Sequence, residues 1–309
     1  MTAGPTSLPS RRGARLDGQG RHQVLWCFHT TAMVADYERT RDALARLVGS
    51  RCLEENHIAD PAIGRRGGMT WIGDNSIEIG EPILEGGAVD RFVKQFGSHM
   101  SSLAVQVSDI DATIAHLEDI GVRVASRVED VIVFTDPRTT GGIVIEWYGA
   151  ESENDPRFGT PIPDYSVDPI LDVEMMAFGG AVVHDPSSSA ELLAGLFGTD
   201  VTFRHPDAPI GDPRAGVSLG DMTLALYGLP TQEESQSAWA HVYRKPQTSN
   251  LGVCVPDIEV ASEALREQGI PVVRRDDHQI VVHSDATGGV ILVVVEQLLD
   301  GDPRLPSFQ

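Results

Sequence analysis

The sequence predicts an α+β chain of four βαβββ units arranged in two pairs. One pattern recurs four times: an apolar strand ending in Val-x-Asp, an amphipathic helix, a glycine, then further strands. Its aspartates, Asp36, Asp109, Asp185 and Asp257, stand 73, 76 and 72 residues apart. The copies also alternate. The first and third share a Gly-Asp step (Gly73-Asp74, Gly220-Asp221), and the second and fourth share a Gly-Gly step (Gly141-Gly142, Gly288-Gly289). Both offsets are 147 residues, so an ancestral pair has been doubled.

Residues 1–20 are rich in Gly, Pro, Ser and Arg and read as a flexible leader without the apolar stretch of a signal peptide. Each repeat aspartate is placed to cap a helix, because a short acceptor side chain satisfies the free N–H groups of a first turn. The helices end at Gly49, Gly121, Gly198 and Gly269, where a left-handed residue stops a helix. In the second copy Ile110, Ile114, Leu117 and Ile120 recur at helical spacing. Runs rich in Val, Ile and Thr follow each helix and read as strands: Gly67–Pro82, Val131–Gly149, Ala215–Gly228 and Gln279–Glu296. The expected organisation is a paired unit over 21–150, an acidic, Pro-rich linker over 151–168, a second pair over 169–299 and a tail over 300–309.

The composition bounds the function. With 309 residues, 41% hydrophobic and 22% charged, the chain has length for two cores. The net charge of −21 argues against a nucleic-acid surface or an anionic membrane as partner. A local basic pocket for a small anion is compatible with that charge. No apolar run reaches the roughly 20 residues that span a bilayer, and a cytoplasmic protein is expected. Cys27, Cys52 and Cys254 are odd in number and lack a CxxC pair, so they read as small buried side chains.

A βαβββ unit of about 70 residues used in pairs resembles the vicinal oxygen chelate superfamily, which includes glyoxalase I, methylmalonyl-CoA epimerase, extradiol dioxygenases and bleomycin- and fosfomycin-resistance proteins. The resemblance covers Arg21 to Leu299. It implies two domains, each a cupped mixed sheet flanked by helices, with one divalent metal ion held by the first and last strands of a pair. It places metal ligands at His29, seven residues before Asp36, at Glu78 in Ser76–Pro82, and at Glu146 in Gly141–Gly149. Glu146 also stands out by itself, because a carboxylate within Ile143–Tyr148 is costly to bury unless paired or metal-bound. On a strand, His29 shares a face with Thr31 and Met33.

The fourth ligand departs from the family's pattern. Seven residues before Asp109 stands Ser102, and His99 lies three residues earlier. A regular strand points His99 to the opposite face, whereas a bulge would turn it back, making His99 the candidate and water the alternative. In the second pair the matching positions are Phe178, Ala225, Asn250 and Val293, which leave no donor set for a metal. That pair is expected to support the fold, cover the cup or mediate a homodimer.

A mixed nitrogen and oxygen donor set suits Fe, Mn, Co, Ni or Zn without choosing among them. By resemblance the metal chelates a small oxygenated substrate and stabilises an enediolate-like intermediate, as an isomerase or lyase. Glu146 or Glu78 would double as the catalytic base, with His57 and Tyr148 as weaker candidates. Trp71, Phe134, Tyr148 and His57 are the expected substrate contacts, with Trp147 a further wall, although core packing is the commoner role of such aromatic side chains. Two other readings remain: an Fe(II) extradiol-type ring-cleaving dioxygenase, which needs a second imidazole, and a non-catalytic small-molecule binding protein.

Overall fold

A computed structural model describes residues 20–60, 64–128, 130–150, 155–164, 167–232 and 245–306, with the side chains of 54–60 outside the description. The leader therefore falls outside the described residues up to position 19. The first half comprises β1 (Val24–Met33), α1 (Tyr37–Val48), β2 (Arg51–Asp60), β3 (Arg65–Ile72), β4 (Asn75–Pro82), α2 (Ala88–Phe96), β5 (His99–Val107), α3 (Ile110–Asp119), β6 (Val124–Val128), β7 (Ile132–Thr135) and β8 (Val144–Tyr148). The second comprises β9 (Met175–Val183), α4 (Pro186–Phe197), β10 (Val201–Arg204), β11 (Ala215–Ser218), β12 (Thr223–Gly228), β13 (Gln247–Cys254), α5 (Ile258–Glu267), β14 (Val272–Arg275), β15 (Gln279–Val282) and β16 (Leu292–Val295).

Each half forms one eight-stranded mixed sheet, and the two orders are equivalent: β2-β3-β4-β1-β5-β8-β7-β6 and β10-β11-β12-β9-β13-β16-β15-β14. Within a sheet the two units meet where their first strands pair antiparallel, β1 with β5 and β9 with β13. Each last strand runs parallel beside the first strand of its own unit, as β4 does beside β1 and β8 beside β5. The four central strands of the first sheet are thus β4-β1-β5-β8.

The expected caps form. The side chains of Asp36, Asp109, Asp185 and Asp257 accept from backbone N–H groups in the first turns of α1, α3, α4 and α5. Gly49 and Gly198 close α1 and α4 in the left-handed conformation. Helix α2 was not anticipated. It is nine residues long and follows Gly87, which offers no side-chain cap, so it lacks the Asp signal of the others.

The two sheets pack by a reciprocal exchange that uses the Gly-Asp steps. Asp221 Oδ1 accepts from Cys27 N at 2.7 Å, and Asp74 Oδ1 accepts from Met176 N at 2.9 Å. Gly73 and Gly220 precede these aspartates with φ of 59° and 90°. A Cβ at Gly73 would meet Met175 Cα at 2.5 Å, and one at Gly220 would meet Leu25 O at 2.6 Å. Only glycine gives both the positive φ and the close approach.

The segments read as linker and tail are structural. Arg157 donates to Cys27 O at 2.6 Å and Phe28 O at 2.7 Å, and its side chain is buried with that of Asp155. Arg304 repeats this on the second sheet, donating to Met176 O at 2.7 Å and Ala177 O at 2.6 Å while paired with buried Asp302. Each arginine thus fastens the two residues that precede the same strand position, His29 in one sheet and Phe178 in the other.

Candidate metal centre

The four central strands of the first sheet each bring polar side chains to one place. β1 supplies His29 and Thr31, β4 supplies Glu78, β5 supplies Ser102 and β8 supplies Glu146. All five are buried. The register explains the meeting: Thr31 lies opposite Glu78 on one side and opposite Ser102 on the other. Register shifts in the β1–β5 pairing between Cys27 and His29, and between Thr31 and Ala32, bend the sheet at this point.

His29 Nε2 lies 3.5 Å from Glu78 Oε2 and 3.9 Å from Glu146 Oε2. One donor atom from each of the three residues falls within 4.8 Å of the others. Ligand bonds of about 2.0–2.2 Å put donors around one ion roughly 3–4.4 Å apart, which the 3.5 and 3.9 Å separations match. The hydrogen bonding agrees: among the described residues neither ring nitrogen of His29 nor Glu146 Oε2 has a partner, although all are buried. Buried polar atoms without partners are uncommon, and an ion would satisfy His29 Nε2 and Glu146 Oε2 where they converge with Glu78. His29, Glu78 and Glu146 therefore fit a divalent metal.

The other oxygen of Glu146 is fixed. Oε1 accepts from Ser102 Oγ at 2.5 Å and from Thr31 Oγ1 at 3.2 Å. These two hydroxyls leave Oε2 turned to His29. Burial and the neighbouring Glu78 carboxylate push the Glu146 carboxyl up to about 7 against the pull of Arg65 and the two hydroxyls. Burial lowers His29 to about 4 although Glu78 opposes it, so its imidazole is neutral and able to ligate. Burial beside Glu146 and Glu78 also raises the Tyr148 phenol well above its ordinary value.

Arg65 went unnoticed in the sequence. Its Nη1 and Nη2 donate to Glu78 Oε2 and Oε1 at 2.9 and 2.6 Å. Burial works against its charge, but Glu78 and Glu146 outweigh that and hold the guanidinium charged. The signal that would have found it is geometric: Arg65 is on β3, antiparallel to the strand of Glu78, and Gly80 leaves space for its stem.

His99 is not part of this cluster, which corrects the expected fourth ligand. It pairs with Met33, four residues along β1 from His29. Its Nδ1 lies 2.7 Å from Met100 O and its Nε2 lies 3.1 Å from Gln247 Nε2. The β1–β5 irregularity does not carry the ring back across that distance.

Of the expected substrate contacts, Tyr148 flanks the cluster, its ring centroid 5.4 Å from that of His29 and 4.6 Å from that of Phe28. Phe134 pairs with Glu146 across β7 and β8. Trp71 is on β3 with its indole fully covered, donating to Gly73 O, and Arg157 lies 5.7 Å over the ring. Trp147 is likewise fully buried, within the core. The backbone of His57 pairs with Gly67, and its side chain lies outside the description. In the second sheet Phe178, Ala225, Asn250 and Val293 are buried. A cavity of about 760 Å³ opens there beside Phe178, Phe203 and Arg274. No helix among the described residues is long and apolar enough to cross a membrane.

Paired βαβββ units with a His/Glu/Glu cluster on the central strands support a metal-dependent enzyme of the vicinal oxygen chelate class. Residues 28–134 match the family model described as glyoxalase/bleomycin resistance protein/dioxygenase superfamily. Among curated proteins no relative matches the sequence. Among solved structures, a mutant of 4-hydroxymandelate synthase from Streptomyces coelicolor is 15% identical with a TM-score of 0.64, over 90% of this chain and 95% of that one. The Mn(II)-bound glyoxalase from Novosphingobium aromaticivorans is 12% identical with a TM-score of 0.60, over 91% and 85%. A xylose isomerase-like TIM barrel/4-hydroxyphenylpyruvate dioxygenase fusion protein is 10% identical with a TM-score of 0.59, over 93% and 51%. At these identities the likeness is one of fold.

Proposed function

We propose that this chain is a divalent-metal-dependent isomerase or lyase that chelates a small oxygenated substrate in its first sheet. The observation that carries the reading is the convergence of His29 Nε2, Glu78 Oε2 and Glu146 Oε2, with two of the three lacking any other partner among the described residues. A bound divalent ion would polarise substrate oxygens and ease loss of a proton from the neighbouring carbon. Three protein donors leave positions for two substrate oxygens.

The chain's own residues divide the remaining work. His29 is neutral and serves as a donor only. Both oxygens of Glu78 are engaged by Arg65, so it is the poorer proton acceptor. Glu146 is the better base, because Ser102 and Thr31 hold Oε1 while Oε2 points into the site. In this reading Glu146 would give up its place as a donor once substrate is bound, so that the freed Oε2 takes the proton from substrate carbon and returns it to an adjacent carbon or to a leaving group. Phe28 and Tyr148 give the apolar wall that excludes water. The expected partner is a small molecule and the expected compartment the cytoplasm; the net charge of −21 suits neither nucleic acid nor an anionic surface.

The dioxygenase reading is weaker, because it needs a second imidazole and Ser102 occupies that position on β5. Deuterium exchange tests the preferred reading. Metal-loaded protein in D2O is expected to label the carbon beside the carbonyl of small hydroxyketones or keto acids, with loss of labelling on chelation or in Glu146→Gln. Oxygen uptake with catechols, without any such exchange, would overturn it.

A further inference from the structure

We infer that Arg65 is a substrate-recognition residue that selects a monocarboxylate, so the chelated substrate is a small carboxylic acid bearing a second oxygen. This inference rests on the metal-dependent reading above and names the substrate class for it.

The guanidinium carries five N–H donors in one plane. Its end-on edge is used: Nη1 and Nη2 grip the two oxygens of Glu78. Among the described residues it donates to no other acceptor, so the side-on edge, Nε with the adjacent Nη, is open to a second carboxylate. The Arg65 side chain keeps 15% of its surface while that of Glu78 keeps 7%. The placement is built rather than incidental. Gly80 sits two residues beyond Glu78 on the same strand and face, and a Cβ there would stand 3.3 Å from Arg65 Cδ. The missing side chain gives the arginine stem its route to Glu78.

Charge gives the substrate class. A divalent ion and Arg65 bring three positive charges to a site whose carboxylates, Glu78 and Glu146, bring two negative ones. One positive charge is left in a buried place, which a monoanion neutralises and a polyanion exceeds. A planar fork beside a metal matches a carboxylate with one oxygen toward the guanidinium and a neighbouring hydroxyl or carbonyl oxygen toward the ion.

The test uses the full chain loaded with Mn(II) and two probes of one shape, glycolate and its neutral amide, glycolamide. Displacement of Mn(II)-bound water, followed by proton relaxation, reads binding without any turnover. Wild type is expected to bind glycolate at least about tenfold more tightly than glycolamide. Arg65→Met is expected to hold Mn(II) and lose the preference. Arg65→Lys keeps the positive charge but not the fork, and is expected to lose most of it. Equal binding of the two probes by wild type, or a wild-type preference in Arg65→Lys, would overturn the inference while leaving the metal site standing. If wild type binds no Mn(II), the proposed function fails and this inference with it.

Discussion

Ser102 donates its hydroxyl proton to Glu146 Oε1 across two parallel neighbouring strands, and that bond turns the other oxygen of Glu146 toward His29. The carboxylate is oriented before any ion arrives. Outer partners of this kind typically set metal affinity by about 10–100-fold. Ser102→Ala should therefore weaken Mn(II) binding by about that factor, read by titration of the Mn(II) resonance signal. Ser102→Thr, which keeps the hydroxyl, should recover most of it. Unchanged affinity in Ser102→Ala would mean that Thr31 alone orients the carboxylate.

Metal binding should depend on pH through Glu146. Its carboxyl is raised to about 7, so below that value an ion must displace a proton, and affinity should fall about tenfold per pH unit. His29, lowered to about 4, adds nothing until much lower pH. Calorimetry at pH 6 in buffers of different ionisation heat should show about one proton released per ion bound. No release would place the titrating proton elsewhere.

The same shift makes a stability prediction for the metal-free chain. A carboxyl whose folded value lies above its model value of 4.5 holds its proton more tightly when folded, so ionising it disfavours the native state. That contribution is present below pH 4.5 and is lost as pH rises to about 7. Glu146→Gln does not titrate, so its stability relative to wild type should grow by a few kcal/mol across that window. Urea unfolding in the presence of a chelator measures the difference, and a constant difference would contradict the shift.

Arg157 and Arg304 hold equivalent strands, and their loss should be costly without removing a ligand. Truncating one partner of a buried ion pair costs about 3–5 kcal/mol. Arg157→Ala also frees the carbonyls of Cys27 and Phe28. Both Arg157→Ala and Arg304→Ala should unfold at markedly lower urea, and only Arg157→Ala should also weaken metal binding, because it releases the strand of His29.

The fold was legible because its signals are local and repeated. An aspartate cap, a helix and a terminal glycine recur four times, and the Gly-Asp step marks where the sheets exchange hydrogen bonds. Glu146 stood out as a carboxylate within an apolar strand, whereas His29 and Glu78 were singled out by the resemblance to the superfamily. Arg65 did not, because an arginine in the run Arg65-Arg66-Gly67-Gly68 resembles a solvated turn until β3 and β4 are paired. His99 misled because a sheet irregularity does exist beside it, but the register leaves its ring four residues from His29 along the partner strand. Arg157 was hidden in a segment read as linker. The missed clue was the tripeptide Asp155-Pro156-Arg157, which returns as Asp302-Pro303-Arg304 after the same 147 residues as the glycine steps.

The central claim is one ion held by an imidazole and two carboxylates, and counting ions tests it most directly. Wild type equilibrated with Mn(II) and freed of excess should retain about one ion per chain, and His29→Ala and Glu146→Gln should each retain less than about a tenth of that. A folded wild type that holds no ion, or variants that hold as much as wild type, would contradict the account.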